Sequence, residues 1–202
     1  MSILSRKRNA ESGVFGACLE YLDMGQIIIV TGGSRSGKSF WAQKTAESIS
    51  ARRVFIATCP VVDDEMRERI RKHREARDER NWHTIEEPLD IAGSIDSCHE
   101  FAVVLVDCLT LWINNLMYRA EKENVTVTET DAAIECRRVA EAAKRHPGTV
   151  LFVTNEVGMG IVPENAQARL FRDLAGRCNQ VMASESARVV FMVSGIPLEV
   201  KG

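Results

Sequence analysis

The stretch Ile27-Ile28-Ile29-Val30-Thr31-Gly32-Gly33-Ser34-Arg35-Ser36-Gly37-Lys38-Ser39 decides the fold. An apolar run over 26–31 reads as a buried strand, and the residues from Lys38 to about Ser50 read as a helix. Between them Gly32, Gly33, Ser34, Arg35, Ser36, Gly37, Lys38 and Ser39 match the phosphate-loop pattern G-x-x-x-x-G-K-[ST] in full, in the strand-to-helix context it requires. The glycines let successive N–H groups turn toward one centre, and the helix N-terminus adds a positive dipole end. Lys38 is expected to reach the β- and γ-phosphates of a nucleoside triphosphate, and Ser39 to coordinate Mg²⁺.

Outward from this loop the same alternation continues. Further continuous apolar runs lie at 54–58, 101–107, 149–154 and 187–194. Continuity rather than alternation is what strands covered on both faces of a parallel sheet need. Helical patterning separates them: a helix capped by Asp63-Asp64 and running to about Arg77, two over 109–122 and 129–145, and a last one with Pro163 near its first turn. The last carries the apolar stripe Ala166, Leu170, Leu174, Cys178, Val181. The expected architecture is an α/β, single P-loop NTPase domain, a mainly parallel sheet with right-handed crossovers and helices on both faces. In such sheets ligands bind at the C-terminal strand edge, which would gather Thr58, Asp107 and Asn155-Glu156 near the phosphates. Asp107, ending the run Val103-Val104-Leu105-Val106, is the expected magnesium-side acid.

Composition narrows the partners. A chain of 202 residues with 45% apolar content can bury one full core, and a formal charge of −2 gives no global attraction to nucleic acid. No apolar run approaches the roughly 18–20 residues of a membrane span, so no stable membrane insertion is expected. The six cysteines and four histidines show neither a C-x-x-C pair nor shared ligand spacing, which argues against a zinc site and for reduced thiols in a cytoplasmic enzyme. Residues 1–23 lack the apolar centre of a signal peptide. They are read as an N-terminal extension without packed structure, upstream of a P-loop domain over 24–202 that starts naturally at Met24-Gly25.

A basic segment holds Arg67, Arg69, Arg71, Lys72, His73, Arg74, Arg77 and Arg80 with acids interspersed. The ordinary meaning of such a run is a solvated helix face. His73, however, shares the face of Met66 and Ile70, with Arg69 and Arg77 one turn away on either side. Two guanidiniums disfavour an imidazolium and keep His73 neutral and nucleophilic, and the same arginines suit phosphate oxygens. On spacing alone a structural histidine is the simpler reading.

Taken together, Ile29 to Ser39, Ile56-Ala57-Thr58, Asp63-Asp64-Glu65-Met66 with Arg69-Ile70, His73 and Arg77, and Trp82 with Thr84, Glu86 and Pro88 resemble the bifunctional adenosylcobinamide kinase / adenosylcobinamide-phosphate guanylyltransferase family of cobalamin biosynthesis. The most specific stretch is Val153-Thr154-Asn155-Glu156-Val157-Gly158-Met159-Gly160-Ile161-Val162-Pro163, followed by Phe171-Arg172-Asp173, Gly176-Arg177, Asn179-Gln180 and Val193-Ser194-Gly195. The resemblance covers residues 25–202. It implies a RecA-like fold, trimers with sites near subunit contacts, and two activities with ATP and GTP as substrates. These are phosphorylation of adenosylcobinamide, then transfer of GMP from GTP onto that phosphate with release of pyrophosphate.

The resemblance also places the family's guanylylated histidine at His73, with Lys72 at the neighbouring position that is sometimes histidine. A neutral imidazole can attack the α-phosphorus when the leaving pyrophosphate is neutralised, splitting one displacement into two. Arg69 and Arg77, with Arg80 as a weaker candidate, would stabilise the transferred group; Thr58 and Glu86 are further nucleotide-site candidates. Two other readings compete: a P-loop small-molecule kinase without guanylyl transfer, and a regulatory nucleotide-binding module. The latter lacks an N-K-x-D guanine motif.

Overall fold

The computed structural model describes residues 26–60, 68, 71, 75, 77 and 79–202. Three expectations lie outside the described residues: the extension over 1–23, the Asp63-Asp64 cap, and the surroundings of Arg69 and His73. Glu68, Arg71, Glu75 and Arg77 are helical, in keeping with a helix over that segment.

The sheet has seven strands: β1 (Ile27–Gly32), β2 (Arg53–Ala57), β3 (His83–Glu86), β4 (Val103–Asp107), β5 (Thr149–Val153), β6 (Arg188–Val193) and β7 (Ile196–Lys201). Their order is β3-β2-β4-β5-β1-β6-β7, every pair parallel except the β6–β7 hairpin. The helices are α1 (Lys38–Ile49), α2 (Ile91–Asp96), α3 (Leu109–Lys122), α4 (Glu129–Arg145) and α5 (Ala166–Glu185).

Strand pleating explains why the apolar runs are continuous. Ile27 and Ile29 point to one face, with Val54, Ile56, Val104, Val106 and Phe152, into a core closed by α2, α3, α4 and α5. Ile28 and Val30 point to the other, with Phe55, Leu105 and Leu151, against Trp41, Ala42 and Ala46 of α1 and against Trp82. The central strands are therefore apolar through their middles, with Arg53, Thr31, Asp107 and Thr149 only at or next to their ends, as two covered faces demand. The helix ends follow local chemistry. Thr128 and Asp131 form a reciprocal capping box at the start of α4. Asn165 caps α5 by accepting from the Ala168 N–H, so this helix starts after Pro163 rather than around it.

Two strands and one short helix escape the sequence reading. β3 is four residues long with both ends exposed, and β7 is an outer strand exposed at every position but Pro197. Edge strands with so much exposure need no buried apolar run, so neither carries the continuous run used to find the others. α2 spans six residues, too short for a helical period to show.

Candidate active site

β1 ends in the phosphate loop, and the loop's shape is set by residues that tolerate left-handed angles. Gly32 has φ 144°, Arg35 φ 55° and Gly37, the residue before α1, φ 93°. A Cβ at Gly32 would stand 2.5 Å from the Met192 carbonyl oxygen of β6, so only glycine fits there. Ser36 donates its N–H to the Gly33 carbonyl at 3.3 Å, closing the turn. Lys38 opens α1, is buried, and donates from Nζ to the Gly33 carbonyl at 2.6 Å. Its side chain thus arches back over the loop, where it would meet phosphate oxygens. Burial lowers its pKa, and the Asp107 carboxylate partly opposes that shift by favouring the ammonium.

The neighbouring strand ends supply the rest of the edge. β5 lies beside β1, and their pairing runs on past the strands, with the Glu156 N–H donating to the Gly32 carbonyl at 3.0 Å. Beyond β5, β4 ends at the half-buried Asp107, two strand spacings or about 10 Å from the phosphate-loop strand. Ser39 sits half-buried in the first turn of α1. A hydroxyl and a carboxylate are the oxygen donors that suit Mg²⁺, which keeps several waters and takes further oxygens from substrate phosphates. Among the described residues no group of three or more His, Cys, Asp or Glu side chains could hold a metal ion.

Thr58 is placed at this edge as expected, but its hydroxyl is committed elsewhere. It donates to the Cys108 carbonyl at 2.8 Å and accepts the Cys108 N–H at 2.7 Å, with no exposed surface. Its part is to clamp the end of β2 to the residue after Asp107. Asn115 of α3 adds to the clamp, donating to the carbonyls of Thr58 and Pro88 at 2.8 and 3.0 Å. Glu86 ends β3, four strand spacings or about 19 Å along the edge from β1, which puts it out of reach of phosphates held on the loop. A nucleotide lying along the edge could bring only its sugar or base to Glu86.

Arg77 is placed away from the phosphate loop. The structure does not bring it to the phosphate edge: its guanidinium lies 4.0 Å from the ring centre of Phe55, midway along β2, and donates from Nε to Thr84 at 3.4 Å. It is buried in the protein body. Arg80 likewise faces Glu47 of α1 at 3.6 Å, while its carbonyl accepts from Arg53 at the start of β2. The chain must cross this face of the sheet to begin β3, and these arginines pack along that crossing.

Behind the edge lies a polar ring that sequence reasoning missed. The Asn155 N–H donates to Thr110 Oγ1 at 2.7 Å, and Thr110 Oγ1 lies 3.2 Å from Thr154 Oγ1. Thr154 donates to Asn179 Oδ1 at 2.7 Å, and Asn179 Nδ2 donates to the Asn155 carbonyl at 3.0 Å, reaching Glu156 Oε2 at 3.5 Å. Because the Thr154 proton goes to Asn179, Thr110 must donate to Thr154, and the ring closes on the backbone of Asn155 with one direction throughout. The signal available was the spacing of Thr154, Asn155 and Asn179 in the motifs quoted above, without the partner Thr110.

Comparison with known proteins fits this geometry. Residues 28–200 match the family described as cobinamide kinase / cobinamide phosphate guanyltransferase. The bifunctional adenosylcobalamin biosynthesis protein CobU of Escherichia coli strain K12 is 41% identical over 183 residues, spanning 87% of this chain and 99% of that protein. The bifunctional adenosylcobalamin biosynthesis protein CobP of Pseudomonas aeruginosa strain PAO1 is 39% identical over 175 residues, 86% and 96% of the two chains. Among solved structures, the flagellar accessory protein FlaH from Methanocaldococcus jannaschii superposes with TM-score 0.51 at 12% identity, covering 89% of this chain and 80% of that one. At that identity the likeness speaks to the fold alone.

Proposed function

This chain belongs to the cobinamide kinase / cobinamide phosphate guanyltransferase family, and we propose that it carries out both activities of that description. It phosphorylates the hydroxyl of adenosylcobinamide with ATP or GTP. It then transfers GMP from GTP to the new phosphate, giving adenosylcobinamide-GDP and pyrophosphate. The observation that carries the reading is an intact phosphate loop, Gly32 to Ser39, inside a family match over residues 28–200.

Within this reading Lys38 and the loop N–H groups bind and orient the triphosphate. Ser39 and Asp107 hold Mg²⁺, which when bound neutralises charge on the leaving phosphates. Glu86, far along the edge, is assigned to the sugar or base end of GTP. His73 is the nucleophile of the second step: its ring nitrogen bonds to the α-phosphorus, pyrophosphate leaves, and the corrinoid phosphate then displaces histidine. Arg69, one turn from His73 in the sequence, stabilises charge on the transferred group. We place the protein in the cytoplasm, as a homotrimer by family likeness; no helix among the described residues is long and apolar enough to cross a membrane.

The test is incubation of the purified protein with Mg²⁺ and GTP radiolabelled at the α-phosphorus, beside His73→Ala. Acid-labile, base-stable label on the wild type and none on the variant is the expected result. A wild type that stays unlabelled while phosphorylating the corrinoid would reduce the protein to a kinase, and one that does neither would leave only nucleotide binding.

A further inference from the structure

The first step needs something the residues so far assigned do not provide. An alcohol attacking the γ-phosphorus must lose its proton, and Lys38 is a cation while Asp107 is assigned to the metal. Glu156 is a further carboxylate, among the described residues, on this stretch of edge. It follows β5, the strand between the phosphate loop and Asp107, and its N–H is tied to Gly32 at 3.0 Å. It is half-buried, with Asn179 Nδ2 3.5 Å from Oε2. The backbone on either side is pinned, at Asn155 by the polar ring and at Gly158 by Arg172, which donates to its carbonyl at 2.8 Å. Beyond it the loop turns outward and bares Met159, Ile161 and Val162, at 77%, 97% and 60% exposure. Three apolar side chains open to solvent suit contact with the hydrocarbon face of a large macrocyclic acceptor. Glu156 is thus tied by its backbone to the phosphate loop and precedes these exposed apolar residues in the chain.

We propose that Glu156 is the general base of the phosphoryl-transfer step and that Asn179 is its positioning residue; this rests on the kinase half of the reading above. The acceptor O–H bond breaks as its oxygen bonds to the γ-phosphorus, and the bond from that phosphorus to the β–γ bridging oxygen breaks. The nucleoside diphosphate leaves with that electron pair, and the proton passes to the Glu156 carboxylate and then to solvent. A positioned base of this kind contributes about 10²–10⁴-fold.

The experiment assays the two half-reactions separately in Glu156→Gln and Asn179→Ala, using adenosylcobinamide with ATP for the first and pre-formed adenosylcobinamide phosphate with GTP for the second. Thermal melts report folding. In Glu156→Gln the kinase kcat should fall about 100-fold or more, exceed any fall in guanylyl transfer at least tenfold, and lose the acid limb of its pH profile. Asn179→Ala should keep that limb, displaced, with a smaller loss. Kinase kcat within threefold of wild type, or equal losses in both half-reactions, overturns the assignment alone. A wild type that phosphorylates no corrinoid overturns the kinase reading and this assignment with it.

Discussion

The N–H of Gly195 donates to the carbonyl of Ser36 at 2.9 Å, so the turn joining β6 to β7 braces the phosphate loop from behind. Ser194 and Gly195 both take positive φ to make that contact, 52° and 85°. The sequence motif Val193-Ser194-Gly195, remote from the loop in the chain, thus becomes part of its support. Glycine substitutions should register this in order of contact. At Gly32 a methyl group meets the Met192 backbone at 2.5 Å, whereas at Gly37 it meets the Gly195 Cα at 3.4 Å. Gly32→Ala is expected to melt well below Gly37→Ala, because backbone in β6 cannot yield as a turn can. Gly37→Ala should keep most of its stability and bind triphosphate about tenfold more weakly, the 1–3 kcal/mol of strain expected at such angles appearing in the loop. Thermal melts and fluorescent-nucleotide titration measure both, and equal melting temperatures for the two variants would contradict the contact argument.

Lys38 is held for its ligand at the expense of the empty fold. Burial lowers its pKa below 10.5, so below the folded value the charged group destabilises the native state, and that cost fades as pH rises toward 10.5. Lys38→Met keeps the volume and removes the charge. At neutral pH it should raise the melting temperature of ligand-free protein by roughly 2–4 °C, equivalent to about 1 kcal/mol for a chain of this length. It should also abolish the stabilisation that added triphosphate gives the wild type. A lower melting temperature without ligand would mean that the bond to Gly33 outweighs desolvation.

Thr58 offers a way to separate clamp from contact. Thr58→Val is nearly isosteric but leaves the Cys108 N–H without its partner in a buried place, a loss of about 1–3 kcal/mol. Stability should fall by that amount, and triphosphate affinity should fall only as far as Asp107 is displaced. A large affinity loss at unchanged stability would make Thr58 a direct nucleotide ligand.

Most of this could be read from residue order. The apolar runs identified β1, β2, β4, β5 and β6 because covered faces keep polar residues to the strand ends, and the phosphate loop followed from strand, glycines and helix in register. The expected helices over 109–122 and 129–145 coincide with α3 and α4. What escaped were features whose cause lies elsewhere in the chain. β3 and β7 exist because β2 and β6 offer them an edge, and Arg77 is buried because Phe55 presents its ring. The polar ring joins Thr110 of α3 and Asn179 of α5 through Thr154, just past β5, a closure that no local period encodes.

Glu47 on α1 should make the fold acid-sensitive in a defined window. Burial pushes its carboxyl pKa up, but hydrogen bonds from Lys44 and Trp82, with the charges of Lys44 and Arg80, outweigh burial and hold it below 4.5. A carboxylate depressed in this way stabilises the native state above its ordinary value, and loses that contribution as pH falls through the folded one. Wild type should therefore melt above Glu47→Gln at pH 6–7, and the gap should close on acidification below 4.5. A gap independent of pH would show that Glu47 acts through packing rather than charge.

Arg77 provides the sharpest contrast between a residue's sequence neighbours and its surroundings. Its place one turn from His73 suggested a phosphate ligand, yet its guanidinium rests on Phe55 and Thr84. Arg77→Met retains an apolar body for the Phe55 face and gives up the cation–π contact, worth about 2 kcal/mol when desolvated. The variant should melt several degrees lower. Its guanylyl transfer, assayed well below the melting range, should stay within about threefold of wild type if the guanidinium keeps its place on Phe55 and Thr84 during the reaction. Arg69→Met, removing the arginine still assigned to the transferred group, should lose far more transfer than stability. If Arg77→Met instead lost transfer 100-fold at an unchanged melting temperature, its guanidinium would have to leave Phe55 during the reaction, and the catalytic role suggested by spacing would be restored.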